Sequence, residues 1–194
     1  MQPVLIIPTL DADLPERIVA QLGEPGIDCD VHVVHDQIGQ GFTRTVNEGL
    51  RWALDTDAQI IGIMSDDCRP TADGWLSELV EALESDEHNG FAAPLMPCRT
   101  EGVNGQAPVA HRKIVEHWAL PYGCVLIKRA VLRDVGLLDP VFDHYCSDTD
   151  HQLRARLFGW RSVVCWHVYV ERDVHPPRQP LWNQDQARLK RRWG

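Results

Sequence analysis

The stretch QIIGIMSDDCRP, residues 59–70, indicates the fold of this chain. Five of the six residues from Ile60 to Ser65 are apolar or glycine, which is typical of a strand buried on both faces. Asp66 and Asp67 follow directly. Ligands of open parallel sheets bind outside the carboxyl ends of the strands, so the two aspartates are expected at a ligand-binding edge.

The adjacent carboxylates of Asp66 and Asp67 repel each other unless a cation, a helix N-terminus or a basic side chain lies near them. A hard divalent cation accepts one or two carboxylates and completes its shell with water and substrate phosphates. The pair is therefore consistent with a nucleotide diphosphate held through a metal. In the other interpretation, one aspartate caps a turn near Pro70 and its neighbour is solvated.

Predicted strands and helices alternate along the chain, which implies crossover units and a mostly parallel sheet. The fold class is therefore α/β, with a single domain and helices flanking the sheet. A glycine-rich, polar loop over 98–113 has the length of a functional or mobile segment. The predicted strands cover 3–10, 30–36, 59–67, 90–97, the first part of 121–136 and 161–170; the predicted helices cover 14–22, 43–56, 73–85 with Asp73 as N-cap, the second part of 121–136 and 150–159.

Composition and charge narrow the class of protein. The chain has 194 residues, of which 44% are apolar and 24% charged, as in one globular domain. A net charge of −9 disfavours broad binding to a nucleic-acid backbone. Six scattered cysteines without a C-x-x-C pair favour free thiols and a cytoplasmic location. No apolar run approaches a membrane span, and the first residues do not resemble a signal peptide.

The basic run RLKRRWG, residues 188–194, stands out in this acidic chain. A solvated basic tail or helix over 179–194 is one interpretation. The other is a contact with an anionic acceptor, a membrane surface or a partner subunit.

A second acidic segment, FDHYCSDTDHQLRARLFGW, spans residues 142–160. Ser147 and Asp150 match a capping box at the start of a helix. Asp148 lies among partly apolar neighbours, where a carboxylate can act as a general base on a hydroxyl. Both interpretations stay open, because one aspartate can cap while the other reacts. Among the histidines, His167 in the last strand is typical of a hydrogen-bonded core residue, and His175 of an available ligand.

Taken together, these motifs resemble the inverting family 2 glycosyltransferases, which have the GT-A fold. The likeness runs from about residue 4 to about residue 175. Its most specific part begins at Gly123, and twelve positions match in order: Gly123, Arg129, Val135, Gly136, Asp139, Phe142, Asp148, Asp150, Arg154, Arg156, Gly159 and Trp160. The other matching stretches are VLIIPTL (4–10), VHVVHD (31–36), GFTRTVNEGLRWAL (41–54) and IMSDDCRPTADGWLSELVEAL (63–83).

The resemblance assigns roles to individual residues. It implies that Asp148 is the base and that Asp67 holds Mn²⁺ or Mg²⁺ with His175, His167 being the alternative ligand. The residues implied to bind the nucleotide sugar are Pro8, Thr9, Asp36, Arg44, Asn47, Ser65 and Asp66. Of these, Asp36 and the backbone of Pro8 and Thr9 would bind the nucleobase. The chain departs from the family pattern at Ser65, at Ser147 and at Val46, where acids and an arginine are usual.

The function implied is metal-dependent, inverting transfer of a sugar from a nucleotide-diphosphate donor to an acceptor hydroxyl by a domain over residues 1–178. The acceptor would be a glycan, a protein, a small molecule or a modified nucleic acid. Two alternatives remain. A nucleotidyltransferase predicts a glycine-rich phosphate loop near the first strand, which IPTLDADLPE lacks. A catalytically silent nucleotide-sugar-binding module would account for Ser65 and Ser147.

Overall fold

The computed structural model describes residues 2–13, 29–96, 111–173 and 177–194. The predicted helix over 14–22, most of the predicted loop over 98–113 and His175 lie outside these residues.

The described residues form strands and helices close to the predicted positions. The helices are α1 (Phe42–Leu54), α2 (Trp75–Glu84), α3 (Arg129–Val135), α4 (Ser147–Leu157) and α5 (Gln179–Trp193). The strands are β1 (Val4–Thr9), β2 (Asp30–His35), β3 (Ile60–Met64), β4 (Cys68–Pro70), β5 (Asn89–Leu95), β6 (Ile114–His117), β7 (Cys124–Lys128) and β8 (Arg161–Arg172). The two short strands β4 and β6 were not predicted.

The strands form one central sheet in the order β2-β1-β3-β7-β5-β8-β4, and β6 pairs with β8. The predicted α/β class is confirmed, but the sheet is mixed rather than mostly parallel. β1 is parallel to β2 and β3, and β5 is parallel to β8, whereas β7 is antiparallel to β3 and β5. β4 and β6 are antiparallel to β8. Since β5 is parallel to β8, the strands β6 and β7 both run opposite to β5, and the direction of the chain changes between β5 and β6.

Apolar side chains on the two faces of the sheet form two separate clusters. Along β1, Leu5 and Ile7 belong to the cluster beneath α2, whereas Val4 and Ile6 belong to the cluster beneath α1 and α3. Successive residues of a strand point to opposite faces, so burial of both faces explains the continuous apolar run.

Two predicted helix starts differ from the structure. Helix α2 begins after Gly74, which has φ 73°, so the prediction of Asp73 as N-cap is wrong. Helix α4 begins after Cys146, a non-glycine residue with φ 64°, and no side chain caps it. Ser147 is thus the first helical residue, and the predicted capping box of Ser147 and Asp150 does not form because the left-handed turn at Cys146 precedes both.

The basic C-terminal segment is helical, since α5 covers Gln179–Trp193. None of the helices described is long and apolar enough to cross a membrane.

Candidate active site

The acidic pair lies at the carboxyl end of β3, beside the end of β1. The Thr9 hydroxyl donates a hydrogen bond to Oδ2 of Asp66 at 2.7 Å, and the Asp11 N–H donates to the Thr9 hydroxyl at 2.9 Å. Thr9 and Asp66 are therefore joined across the ends of two parallel strands. Asp66 is exposed at this edge.

Asp67 is paired with an arginine from the far end of the chain. The Nε of Arg172, in the last position of β8, lies 3.2 Å from both carboxylate oxygens of Asp67. The guanidinium also covers Gly123, where a Cβ atom would come within 2.7 Å of Nη1 of Arg172. Glycine at this position lets the arginine reach the acidic edge.

The residues at this edge fit a metal ion that takes most of its ligands from a substrate. Two neighbouring carboxylates suit a hard divalent cation completed by water and phosphate oxygens, and Arg172 would compete with the cation for Asp67. Three or more histidine, cysteine or acidic side chains do not come together as a metal-binding group anywhere in the described ranges. His167 is engaged elsewhere, with Glu78 Oε2 3.1 Å from its Nε2 and the Lys113 N–H donating to its Nδ1 at 3.2 Å.

Asp36 follows β2 and organises the turn that leads into α1. Its two carboxylate oxygens accept hydrogen bonds from the N–H groups of Gln40 at 2.8 Å and Gly41 at 3.0 Å. Its own N–H donates to the Thr9 carbonyl at 2.8 Å, which extends the pairing of β1 and β2. Burial alone would raise the pKa of Asp36, but the surrounding backbone N–H groups outweigh it and hold the pKa below its ordinary value. Asp36 therefore stays ionised beside Pro8 and Thr9.

The turn after Asp36 touches the second acidic segment. A Cβ atom on Gly41, which has φ 92°, would lie 2.7 Å from the Asp143 carbonyl oxygen. Arg44 bridges the same two regions, since its Nη1 donates to the Gln40 carbonyl at 3.2 Å and pairs with Asp143 at 3.1 Å. Its Nη2 donates to the Pro140 carbonyl at 3.3 Å. Arg44 thus ties the Asp36 turn to residues 140–143.

Two further residues predicted to bind the nucleotide sugar make backbone contacts. Asn47 is buried, and its side-chain amide exchanges two hydrogen bonds with the backbone of Leu138, at 2.8 and 3.0 Å. Ser65 is also buried, and its N–H donates to the Gly123 carbonyl at 2.7 Å. These contacts show how each residue is held, and contact with a nucleotide stays a prediction for both.

Asp148 lies in the first turn of α4 and faces the loop before β7. Its Oδ1 accepts the Thr149 N–H at 2.7 Å, and its Oδ2 accepts the Tyr122 N–H at 3.3 Å. Burial raises the pKa of Asp148 above its ordinary value, against the opposing effect of these hydrogen bonds. A raised pKa brings a carboxylate closer to the range in which it exchanges protons with a hydroxyl.

Tyr122 links the two acidic regions of the site. Its N–H contacts Asp148, while the next residue, Gly123, packs against the Arg172 guanidinium that holds Asp67. The same short segment therefore contacts Asp148, the base that the resemblance predicts, and Arg172, the partner of the predicted metal-binding Asp67.

Sequence reasoning missed two sets of residues around Asp148. The Tyr122 hydroxyl lies 2.7 Å from Nδ1 of His151, and Nε2 of His151 lies 2.9 Å from the Gly136 carbonyl oxygen, which builds a buried chain of hydrogen bonds below α4. Nothing in the local sequence signals these hydrogen bonds.

The second set comes from α5, whose Arg188 and Arg192 are four positions apart on one helix and pair with acidic residues. That spacing is visible in the sequence, but the acidic partners are not.

Comparison with known proteins identifies the family. The profile "Glycosyl transferase family 2" matches residues 6–136, more than half of the chain. The matched range includes Asp36, Asp66 and Asp67 and ends before Asp148. A search of curated proteins returned no match.

Several solved structures share the fold at low sequence identity. A197 from STIV has a TM-score of 0.62 and 16% identity, with 90% of this chain and 87% of that chain covered. A Pyrobaculum calidifontis mannosyltransferase, PcManGT, in complex with GDP-Man and Mn²⁺, has a TM-score of 0.68 and 16% identity over 98% of this chain and 64% of that one. GalNAc-T7 with UDP, GalNAc and Mn²⁺ has a TM-score of 0.63 and 14% identity over 91% and 45%.

The profile match and the shared architecture agree with the resemblance that the motifs indicate. The chain belongs to glycosyltransferase family 2 and has the GT-A fold.

Proposed function

We propose that this protein transfers a sugar from a nucleotide-diphosphate donor to an acceptor hydroxyl, with inversion at the anomeric carbon and dependence on a divalent metal. The observation that carries the proposal is the segment Tyr122–Gly123, which contacts Asp148 on one side and the Asp67–Arg172 pair on the other. Sugar transfer requires a group that binds the donor diphosphate and a group that activates the acceptor hydroxyl, and the two must lie close together.

The donor would lie along the carboxyl ends of β1, β2 and β3. Asp36, kept ionised by backbone N–H groups, would accept hydrogen bonds from the nucleobase of the donor. The nucleobase would pack against the backbone of Pro8 and Thr9. Ser65 and Asp66 would face the ribose. Arg44 and Asn47 would act in donor binding through the segment 138–143, which both contact.

The metal would be held by Asp67, with His175 as the proposed second protein ligand. When bound, Mn²⁺ or Mg²⁺ offsets the negative charge that develops on the leaving diphosphate. The neighbouring carboxylates of Asp66 and Asp67 fit such an ion. Two solved structures of the same fold, PcManGT and GalNAc-T7, contain Mn²⁺ and a nucleotide or nucleotide sugar.

Asp148 would act as the general base. Its partly buried carboxylate takes the proton of the acceptor hydroxyl, and the resulting oxygen nucleophile attacks the anomeric carbon on the face opposite the diphosphate. The bond between the sugar and the diphosphate breaks as the new glycosidic bond forms. One displacement inverts the configuration. Burial of Asp148 supports this role, because a raised pKa makes the carboxylate a stronger base toward the acceptor hydroxyl.

The acceptor class is a glycan, a protein, a small molecule or a modified nucleic acid carrying a free hydroxyl, and we place the reaction in the cytoplasm. Cys68, Cys124 and Cys165 are buried in the core as free thiols, which supports a reducing compartment.

The proposal is tested by incubating the protein with a panel of nucleotide sugars and Mn²⁺ while recording thermal stability and donor hydrolysis. A rise in midpoint temperature that requires both metal and one nucleotide sugar, with slow hydrolysis of that sugar, is the expected result. Stabilisation by nucleoside triphosphates alone would instead indicate a nucleotidyltransferase. Stabilisation without any turnover in the presence of acceptors would indicate a binding module.

A further inference from the structure

Helix α5 holds the segment that carries Asp148. Asp185, near the middle of α5, is buried, and its carboxylate accepts hydrogen bonds from three consecutive backbone N–H groups. Those of His144 and Tyr145 donate to Oδ2 at 3.0 and 2.9 Å, and that of Asp143 donates to Oδ1 at 3.3 Å. A buried carboxylate is costly unless its oxygens are paired, and here the backbone of residues 143–145 supplies the partners.

The segment held by Asp185 leads directly to the base. Tyr145 is followed by Cys146, whose left-handed backbone with φ 64° starts α4. Asp148 stands two residues further on. Non-glycine residues in this conformation carry strain and persist only where surrounding contacts impose it. The three hydrogen bonds to Asp185 lie immediately before the strained residue and can impose it.

Helix α5 also contacts the chain on the C-terminal side of Asp148. Asp150, whose side chain is buried, accepts hydrogen bonds from Nη1 of Arg192 and Nε1 of Trp193, both at 2.9 Å. Arg192 also pairs with Asp139 at 2.7 Å. Contacts at 143–145 and at 150 thus bracket the base. We call Asp185, Arg188, Arg192 and Trp193 the C-terminal clamp.

The charged side chains of the C-terminal clamp pair with oppositely charged side chains. Arg188 pairs with both the buried Asp185 and the partly exposed Asp143 at 2.8 Å, so each carboxylate has a cationic partner. Four aspartates and four arginines meet in this region: Asp139, Asp143, Asp150 and Asp185 with Arg44, Arg154, Arg188 and Arg192. The basic run at the C-terminus therefore has an acidic partner within the same chain. Asp148 instead turns its oxygens toward the backbone of Tyr122 and Thr149.

We propose that Asp185 is a positioning residue that orders the segment 143–149 and thereby aims Asp148 at the acceptor hydroxyl. The inference rests on the proposed function for the role of Asp148. The order of the segment can be measured without it.

The test uses the full chain with Asp185→Asn, which keeps the size of the side chain but turns one acceptor atom into a donor. Amide hydrogen exchange of residues 143–149 should become at least about tenfold faster, and kcat for sugar transfer should fall at least about tenfold. The dissociation constant of the nucleotide donor should change much less than kcat, because Asp36 is held by the backbone of Gln40, Gly41 and Thr9 rather than by Asp185. A purely structural role would change donor binding and kcat together.

Two further variants complete the design. Asp86→Asn is the matched control, because Asp86 also accepts a backbone N–H, that of His88, and pairs with Arg161, at the start of β8 rather than at its end. It should leave both exchange at 143–149 and kcat unchanged. Arg192→Gln removes a partly exposed part of the clamp and should shift both measurements in the same direction as Asp185→Asn.

Unchanged exchange at 143–149 in Asp185→Asn would overturn the inference, as would faster exchange with full kcat. If Asp185→Asn does not fold, Arg192→Gln decides by the same two measurements. If the wild-type protein turns over no nucleotide sugar, the proposed function fails, and the exchange data alone decide whether the clamp orders the segment.

Discussion

The side chain of Arg172 places its Nε 3.2 Å from both oxygens of Asp67, although the two residues are 105 positions apart in the chain. A cationic side chain therefore stands where the proposed metal would bind. Both side chains are partly accessible, at 32% for Arg172 and 17% for Asp67. An ion pair of this kind contributes up to about 1 kcal/mol.

Competition between Arg172 and the metal predicts the effect of Arg172→Gln. Without the guanidinium, Asp67 should bind Mn²⁺ more readily, and the Mn²⁺ concentration for half-maximal thermal stabilisation with a donor should fall up to about fivefold. The measurement is a metal titration followed by thermal shift. Arg69→Gln, which removes a surface ion pair with Asp173, is the control and should leave the titration unchanged. A weaker response to Mn²⁺ in Arg172→Gln would show that the arginine assists the metal site.

Asp148→Asn should slow transfer by several orders of magnitude while preserving donor binding. The amide cannot take the proton of the acceptor hydroxyl, and loss of a general base costs roughly 10²–10⁴ in rate. Isothermal titration with the donor and metal measures binding, and product formation measures transfer. Asp134→Asn serves as the control, since Asp134 lies on α3, outside the site, and accepts a hydrogen bond from Nε1 of Trp160. Undiminished transfer in Asp148→Asn would exclude it as the base.

The pH dependence of transfer should report the pKa of Asp148. The base is active when ionised, so kcat falls as the pH drops through this pKa. Because burial raises the pKa of Asp148, the acid limb of the profile should lie above the pH of about 4 expected for an exposed aspartate. Initial rates between pH 4 and 8, with folding checked by circular dichroism at each pH, give the profile. An acid limb at or below pH 4 would contradict the assignment.

Acid should destabilise the fold through His151. Burial lowers the pKa of His151 from 6.5 to about 4, because its ring is enclosed between Tyr122 and Gly136. Between these two pH values the unfolded chain binds more protons than the folded one, so the free energy of unfolding falls as the pH falls, by up to about 3 kcal/mol. Urea unfolding at pH 7 and pH 4.5 measures the change.

His151→Gln should flatten this part of the pH dependence, whatever its effect on stability at pH 7. His88→Gln, which alters an exposed histidine, should retain it. An equal slope in His151→Gln and the wild type would assign the acid sensitivity to other groups.

Gly49 lies where α1 packs tightly against the sheet. A Cβ atom there would overlap the Ile6 side chain and come within 3.1 Å of Val34. Gly49→Ala should therefore lower the free energy of unfolding by about 1–3 kcal/mol despite the better helix propensity of alanine. Denaturant unfolding checks this, with Glu48→Ala at the exposed neighbouring position as control. A stability equal to that of the wild type would mean that β1 and α1 separate at little cost.

Much of the fold was predictable because burial leaves a local signature. Residues 4–7 of strand β1 belong alternately to the two clusters, so all four are apolar. The direction of β7 was not predictable, because it depends on which strands it pairs with rather than on its own residues. The start of α4 at Cys146 was missed for a similar reason, since contacts elsewhere impose its left-handed backbone.

For the site, the sequence indicated residues that belong to strand ends and helix starts. Asp66, Asp67 and Asp148 lie at such positions in the structure. The partners of these residues could not be predicted, because they come from distant parts of the chain. Arg172 reaches Asp67 from β8, and Asp185 reaches residues 143–145 from about 40 positions away. Pairs of this kind depend on how the elements pack.

The close approach of Gly41 to Asp143 has a consequence for engineering. The turn that would bind the nucleobase and the stretch that leads to Asp148 share one contact surface, and Arg44 contacts both of them. A chimera that grafts residues 36–44 from another enzyme, to change which donor is used, would leave mismatched surfaces unless residues 138–143 are grafted with them. Donor and acceptor preference in this scaffold are best redesigned as a unit.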